Sequence, residues 1–201
     1  MIKIHRKIEQ GSEEWFDLRA GKMTASHAQA IGNHGKGLDT YIVDMMAEFY
    51  SSGEAEQFSN KHTDRGNELE PVARQVYEFE NDVEVDTVGF IEYNEYIGVS
   101  PDGLVGEDGG IEIKCVDDTA YFKHLLNGES EIDSKYIWQV QMSLKVTGRK
   151  WWDLVIYNPN YTKSMCVYRI VPDEEKFAEL EIGFAKGIEL INNIKNKINV
   201  Q

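Results

Sequence analysis

Cysteine, proline and long apolar stretches are all scarce in this chain of 201 residues. The two cysteines, Cys115 and Cys166, form no Cys-x-x-Cys pair, which argues against a zinc ribbon or an iron–sulfur cluster. No apolar run approaches the length of a membrane span, and no apolar segment of a secretory signal follows the first residues. We therefore expect a cytoplasmic protein with reduced thiols and no membrane partner.

Basic residues are also in short supply. Lys and Arg number 21 against 35 Asp and Glu, which gives a net charge of −14. Proteins that bind nucleic acid indiscriminately usually carry a basic patch or a high pI, so this charge argues against that class. It leaves a nuclease open, because a metal site needs carboxylates and DNA contact can be confined to one locally basic surface.

Linkers, internal repeats and low-complexity segments are absent, so residues 1–201 are expected to form a single domain. Apolar periodicity predicts helices over 38–50, 61–80, 136–146 and from 173 onward. The first of these has an apolar stripe expected to lie in the core: Tyr41, Ile42, Met45, Met46 and Phe49. Alternation predicts strands over 83–93, 111–115, 151–157 and 165–171. This order predicts an α/β fold with a central mixed β-sheet flanked by helices.

The stretch Val99–Cys115 predicts a β-hairpin in the middle of that sheet. A short extended run is followed by Glu-Asp-Gly-Gly, which is turn chemistry, and then by Ile-Glu-Ile-Lys-Cys. The alternation puts Glu112 and Lys114 on one face of the second strand. Asp102 stands just before the first strand, where the hairpin can fold it back beside Glu112.

Two carboxylates and a lysine at the end of a hairpin suit metal-dependent phosphodiester hydrolysis. Mg²⁺ prefers oxygen ligands and, bound to carboxylates, can polarise a phosphoryl oxygen and acidify a water. A nearby ammonium can orient that water or stabilise charge in the transition state. The alternative is structural, because Glu-x-Lys is common on exposed strand faces.

A second candidate site lies near the N-terminus. Ser12 can cap a helix that ends near Arg19, and Thr24 can open another short helix that includes Ser26. Free N–H groups at a helix start, two hydroxyls and an arginine would bind an anion such as phosphate. The alternative is that Thr24 is only an N-cap and Arg19 only a surface charge.

The helix over 61–80 places Glu70 one turn before Arg74. An ordinary i,i+4 ion pair explains this spacing, and so does a carboxylate directed at the metal site. Both interpretations stay open from the residues alone.

Four separated stretches, taken together, resemble one known family. These are Trp15–Ser26, Gly66–Arg74, Ser100–Cys115 and Tyr136–Ser143, the last followed by Thr147-Gly148 and Tyr157-Asn158-Pro159. In this order and spacing they resemble the lambda-type phage exonucleases, or YqaJ-like viral recombinase family, within the PD-(D/E)xK nuclease superfamily. The resemblance implies a restriction-endonuclease-like core. It covers roughly 10–161, and the segment 51–59 matches nothing in it.

The resemblance also implies roles for individual residues. Asp102, Glu112 and the backbone carbonyl of Ile113 match the metal ligands, and Lys114 matches the catalytic lysine. Glu70 matches the helix glutamate that helps to hold a second metal ion or the attacking water. Glu68 competes for that role, but the two side chains lie about 200° apart on a helix, so only one can face the site.

Further positions match the family's active site and its pocket for a 5′-phosphate. Gln139 matches the active-site glutamine and Tyr136 a nearby tyrosine. Arg19, Ser26 and Ser100 match the phosphate pocket, which coincides with the anion site inferred above, where Thr24 supplies a second hydroxyl.

The implied function is a 5′→3′ exonuclease that degrades one strand of linear double-stranded DNA from 5′-phosphorylated ends in phage-type recombination. The implied cofactors are two Mg²⁺ or Mn²⁺ ions per site. The implied partners are DNA ends, two further copies in a homotrimer and a single-strand annealing protein, in the cytoplasm of a bacterial host cell. The alternatives are an endonuclease or nickase of restriction or repair type, and a non-catalytic acidic binding protein.

Overall fold

A computed structural model describes residues 2–51 and 61–199 of the chain. In these ranges the helices are α1 (Glu13–Arg19), α2 (Ala28–Asn33), α3 (Lys36–Tyr50), α4 (Lys61–Asn81), α5 (Asp118–Asn127), α6 (Ser134–Thr147) and α7 (Glu174–Asn199). The strands are β1 (Lys3–His5), β2 (Met23–Thr24), β3 (Val85–Asp86), β4 (Phe90–Asn94), β5 (Ile97–Val99), β6 (Gly103–Val105), β7 (Gly109–Cys115), β8 (Trp151–Tyr157) and β9 (Met165–Ile170). The segment 51–59 lies, apart from Ser51, outside the described residues.

The larger sheet has five strands in the order β3-β6-β7-β8-β9. β7 and β8 run parallel, and the other neighbours run antiparallel. A parallel pair needs a long crossover, which α5 and α6 supply. The sheet is therefore mixed, with the predicted hairpin strand β7 at its centre, and the predicted fold class is confirmed.

A second sheet, in the order β1-β4-β5-β2, was not predicted. The single strand expected over 83–93 is wrong, because β3 joins the larger sheet while β4 joins the smaller one. The chain crosses between the sheets at Gly89, where an added Cβ would overlap the backbone carbonyl of Ile8. Alternating apolar residues predict extended backbone but do not specify its partner strand, so the sequence does not tell which sheet each half joins.

The larger sheet separates two apolar clusters. Leu154 and Ile156 of β8 belong to the cluster that includes residues of α2, α3, α6 and α7. Val155 and Tyr157 belong to the cluster on α4. This alternation along one strand follows from the period of two in an extended chain.

A buried hydrogen-bond group anchors α4 to the sheet. Asp153 of β8 is 2% exposed and accepts two hydrogen bonds from the Arg169 guanidinium, both at 2.8 Å. The hydroxyl of Tyr77 in α4 donates to the same carboxylate at 2.7 Å. A buried carboxylate satisfied in this way fixes the position of α4. No helix in the described ranges is both long and apolar enough to cross a membrane.

Candidate active site

The β6–β7 hairpin brings Asp102 back beside the second strand. Gly103 pairs with Ile111, so Asp102 lies next to Glu112 across the hairpin. The Oδ2 atom of Asp102 accepts a hydrogen bond from the backbone N–H of Ile113 at 2.6 Å. The short distance is typical of a charge-assisted hydrogen bond and fixes the carboxylate against β7.

Glu112 is the centre of the side-chain group. It is 3% exposed, and its Oε1 atom accepts a hydrogen bond from Lys114 Nζ at 2.7 Å. Gln139 of α6 donates to the same oxygen through Nε2. The structure therefore joins three of the residues proposed for the site from the sequence in one hydrogen-bonded group.

Tyr136 lies at the edge of this group on α6. Its ring centroid is 5.1 Å from Lys114 Nζ and 4.9 Å from Lys135 Nζ. Two ammonium groups near one aromatic ring are attracted to its faces. Tyr136 therefore lies between Lys114, which is partly buried, and the more exposed Lys135.

α4 contributes Glu70 from the other face of the sheet. Arg74 Nη2 donates to Glu70 Oε1 at 2.6 Å, while Glu68 is exposed. Burial raises the pKa of Glu70 to about 7; the charge of Asp102 adds to the rise, and Arg74 opposes it. Glu70 is thus the partner of Arg74. Of Glu68 and Glu70, it is also the one whose pKa is raised by the charge of Asp102.

Burial of the carboxylates dominates the electrostatics of the site, and repulsion between them adds to its effect on Glu112 and Glu70. Burial raises the pKa of Glu112 to about 8, with a further rise from Asp102 and an opposing effect of Lys114. Burial also raises the pKa of Asp102, against the charge of Lys114. Burial alone would lower the pKa of Lys114, but the charges of Glu112 and Asp102 outweigh it and raise that pKa.

The donor set fits a hard divalent cation. Asp102, Glu112 and Glu70 supply carboxylate oxygens in a cluster whose charges repel one another, and Mg²⁺ and Mn²⁺ prefer such ligands. No group of three His, Cys, Asp or Glu side chains among the described residues is already arranged to hold a metal. Lys114 and Gln139 both donate to Oε1 of Glu112, so an ion at this carboxylate would compete with them for Oε1 or bind Oε2.

Arg19 lies in a separate pocket beside Ser100. Its Nη1 atom donates to Ser100 Oγ at 2.8 Å, and its guanidinium carbon lies 4.2 Å from the centroid of the Trp15 ring. Trp15 Nε1 donates to the same hydroxyl at 3.1 Å. Burial lowers the pKa of Arg19, and no carboxylate in the described part of the chain forms an ion pair with it. A largely buried guanidinium in this position is suited to an anionic ligand.

Thr24 and Ser26 lie in the same region, but not at the start of a regular helix. A 3₁₀ turn over Ala25–His27 precedes the short α2, and the Thr24 side chain caps neither. The helix predicted to begin at Thr24 therefore begins as a 3₁₀ turn, with Thr24 at its N-cap position, and the anion site stays a prediction. The hydroxyls of Thr24 and Ser26 are 3.3 Å apart.

Two aromatic rings complete this part of the pocket. His27 stacks on Tyr41, with ring centroids 4.0 Å apart and planes 9° from parallel. His27 Nδ1 lies 3.2 Å from Ser26 Oγ, and the Tyr41 hydroxyl accepts the backbone N–H of Thr24 at 3.1 Å. Burial lowers the pKa of His27, as does the nearby charge of Arg19, so the histidine and the arginine belong to one pocket.

The pocket and the acidic cluster are neighbours along the chain and in space. Ser100 and Asp102 are separated only by Pro101, whose backbone carbonyl accepts a hydrogen bond from Gln10 Nε2 at 2.9 Å. The 3₁₀ turn that carries Ser26 packs against α6, the helix of Gln139. The two groups are thus parts of one surface.

Four residues at these sites were not predicted to act there: Trp15, His27, Tyr41 and Arg74. Tyr41 belongs to the apolar stripe predicted for the helix over 38–50, and periodicity does not reveal that its phenol, or the indole N–H of Trp15, points into a polar site. The position of His27 directly after Ser26 was an available signal. Arg74 was visible only as one half of an ordinary i,i+4 pair.

Comparison with known proteins identifies similar chains. A profile of the YqaJ-like viral recombinase domain matches residues 14–150. The crystal structure of an alkaline exonuclease, LHK-Exo, from Laribacter hongkongensis is similar, with a TM-score of 0.80 and 31% identity over 94% of this chain and 98% of that chain. LHK-Exo in complex with dAMP gives a TM-score of 0.81 and 32% identity, with the same coverage of both chains.

More distant similarities extend to other sources. A phage-related exonuclease from Haemophilus somnus 129PT shares the fold, with a TM-score of 0.67 and 16% identity over 90% of this chain and 98% of that chain. The uncharacterized protein R354 of Acanthamoeba polyphaga mimivirus is 27% identical over 161 residues, which are 73% of this chain. The match spans only 29% of that viral protein.

Proposed function

Because the chain belongs to the YqaJ-like viral recombinase family, we propose that it is a metal-dependent exonuclease that hydrolyses DNA from its ends. The observation that carries this proposal is that the pocket of Arg19 and the acidic cluster meet at Ser100 and Asp102, which are separated by one residue. Ser100 helps to form a pocket around a guanidinium without a carboxylate partner among the described residues, and Asp102 belongs to the acidic cluster. The first arrangement suits a DNA end, and the second suits its hydrolysis.

The preferred substrate is linear double-stranded DNA with a 5′-phosphate, degraded in the 5′→3′ direction. Arg19 binds the terminal phosphate through its free donors, and Ser26, Thr24 and Ser100 supply hydroxyls. The similarity to LHK-Exo, which has been solved with dAMP, supports a nucleotide as the bound group. A protein with a net charge of −14 binds such DNA through local basic side chains, and Arg19 supplies one in this pocket.

Asp102, Glu112, the carbonyl of Ile113 and Glu70 would hold one or two Mg²⁺ or Mn²⁺ ions. When bound, the ions supply Lewis-acid polarisation of the phosphodiester and a more acidic water. The lysine at position 114 orients that water or stabilises the charge that develops on the phosphoryl oxygens.

Two side chains of α6 support the residues of the acidic cluster. Gln139 holds Glu112 in place through its hydrogen bond, and Tyr136 keeps Lys114 over its ring. Side chains that orient ligands in this way tune a metal site without touching the ion.

The wider role we propose is resection of DNA ends in recombination, in the cytoplasm of a bacterial host cell. A homotrimer and a single-strand annealing protein are the proposed partners, both on the basis of the family. Measurement of the mass in solution, with and without DNA, tests the trimer.

Digestion assays on matched substrates test the activity. We expect Mg²⁺-dependent release of nucleotides from 5′-phosphorylated linear duplex, slower digestion of the 5′-hydroxyl duplex and none of closed circular DNA. EDTA, Asp102→Ala and Lys114→Ala should abolish the activity. Cleavage of closed circles would indicate an endonuclease or nickase, and activity that survives Lys114→Ala would contradict the assigned centre.

A variant of the pocket tests recognition of the end. Arg19→Gln should raise the KM for 5′-phosphorylated ends by roughly 10–100-fold, as loss of a charged hydrogen bond does, and leave 5′-hydroxyl ends nearly unchanged. Arg6→Gln is the matched control, because Arg6 already has an ion-pair partner in Asp86 and both side chains are half exposed. Equal loss on both kinds of end would contradict a phosphate pocket.

A further inference from the structure

Arg74 is the charged residue of the acidic cluster for which the proposed chemistry has no role. It lies in α4, one turn after Glu70, and its Nη2 atom donates to Glu70 Oε1 at 2.6 Å. Its side chain is 21% exposed and that of Glu70 is 31% exposed, so the pair is largely withdrawn from water.

Three observations separate this pair from an ordinary ion pair on a helix surface. The Nε–H of Arg74 is buried and finds no acceptor among the described residues. The charge of Arg74 acts on Asp102 as well as on Glu70, opposing the rise in pKa that burial causes in both. The neighbouring positions Ala73 and Tyr77 are buried against the sheet, which fixes the direction in which Arg74 extends.

The cluster contains three carboxylates and two cations. Lys114 is hydrogen-bonded to Glu112, and the Asp102 carboxylate is held by a backbone N–H. Arg74 is therefore the side chain that holds Glu70, and its charge offsets the repulsion between Glu70 and Asp102. An unsatisfied buried N–H opposes folding, so the position of this guanidinium is poorly explained by stability alone.

We propose that Arg74 is a positioning residue that fixes the carboxylate of Glu70 at the hydrolytic centre. This inference rests on the proposed function, and it adds to that function a residue that acts through another. The planar guanidinium sets the direction of the Glu70 carboxylate more strictly than an ammonium can. Loss of Arg74 should then weaken ion binding and turnover rather than the capture of DNA ends.

Arg74→Met and Arg74→Lys test this role, with Arg6→Met as the matched control. For Arg74→Met we expect kcat to fall by roughly 10–100-fold, the usual effect of losing a partner that orients a ligand, while the KM for DNA ends changes less than about two-fold. The Kd for Mn²⁺ alone, measured by calorimetry without DNA, should rise by roughly 10-fold. Arg74→Lys should recover part of both, and Arg6→Met should resemble the unmodified chain.

Two results overturn the inference. The first is unchanged kcat and Mn²⁺ affinity in Arg74→Met. The second is a loss in Arg74→Met that appears only as unfolding, seen as a lowered midpoint of thermal denaturation in EDTA with normal kcat for the folded fraction. Either result leaves the proposed function intact if the unmodified chain is active and Lys114→Ala is not. An unmodified chain without divalent-dependent activity overturns both proposals.

Discussion

The backbone N–H of Ile113 donates to Asp102 Oδ2 at 2.6 Å, which ties the residue before β6 to the middle of β7. The contact holds only in the observed register, in which Gly103 pairs with Ile111. A slip of one residue would turn Glu112 and Lys114 to the opposite face. The hairpin register thus decides whether the acidic cluster exists.

Asp102→Asn should stabilise the metal-free protein while it abolishes activity. The amide oxygen can still accept the N–H of Ile113, but a buried charge that repels Glu112 is removed. We expect the free energy of unfolding in EDTA, measured by urea denaturation, to rise by about 0.5–2 kcal/mol. Asp86→Asn is the control, because Asp86 is half exposed and paired with Arg6, so a change below about 0.5 kcal/mol is expected. A lower free energy of unfolding for Asp102→Asn would show that repulsion between Asp102 and Glu112 does not destabilise the metal-free protein.

Gly183→Ala should destabilise the packing of α7 on α2. A Cβ at this position would overlap the backbone carbonyl oxygen of Ile31, and a backbone atom cannot rotate away. We expect a loss of about 1–3 kcal/mol in the free energy of unfolding, measured by urea denaturation. Gly37→Ala in α3 is the matched control, because its nearest neighbour would be the Cβ of Ala30 at 3.9 Å. That control should be neutral or more stable by up to about 1 kcal/mol, and equal destabilisation of both variants would contradict the steric explanation.

Glu92 should make the smaller sheet sensitive to acid. Its Oε2 atom lies 2.7 Å from His5 Nε2, and Lys22 Nζ lies 3.6 Å from Oε1. Burial would raise the pKa of Glu92, but the hydrogen bond with His5 and the charge of Lys22 outweigh it and lower that pKa below its usual 4.5. The unfolded chain therefore takes up the proton first, and the stabilisation is present above pH 4.5 and lost as the pH falls through the lowered pKa.

Urea denaturation of the unmodified chain and Glu92→Gln from pH 7 to pH 3 measures this effect. The unmodified chain should be the more stable at pH 7, and the difference should shrink steadily below about pH 4.5. A difference that is constant over this range would exclude the ionised form of Glu92 as its cause.

The hairpin could be predicted because its signals are local. Turn residues and strict alternation lie within 17 consecutive residues, Val99–Cys115, and they specify both the fold-back and the faces of the strand. The two-sheet arrangement could not be predicted, because pairing of β3 and β4 with different partners depends on distant strands. Near Gly89, where the chain crosses, the alternation changes phase between Val85 and Val88, but this does not tell which sheet each half joins.

Residues of the candidate site could be proposed from the sequence only where the residue type itself indicates chemistry. Charged side chains in a motif, such as Arg19 and Lys114, are conspicuous in a sequence. The polar atoms of Trp15 and Tyr41 were not, because both residues also satisfy the pattern of an apolar helix face. Arg74 was missed for a related reason, since its spacing from Glu70 is common on exposed helices.

Pro101 restrains the distance between Ser100 and Asp102. Its ring restricts the backbone between Ser100, which faces Arg19, and Asp102, and its carbonyl is held by Gln10. A terminal phosphate bound at Arg19 would then lie at a fixed distance from the acidic cluster, whatever the base sequence of the DNA. For the exonuclease proposed above, each hydrolysis should then remove the same number of nucleotides, so the products should be uniform in length.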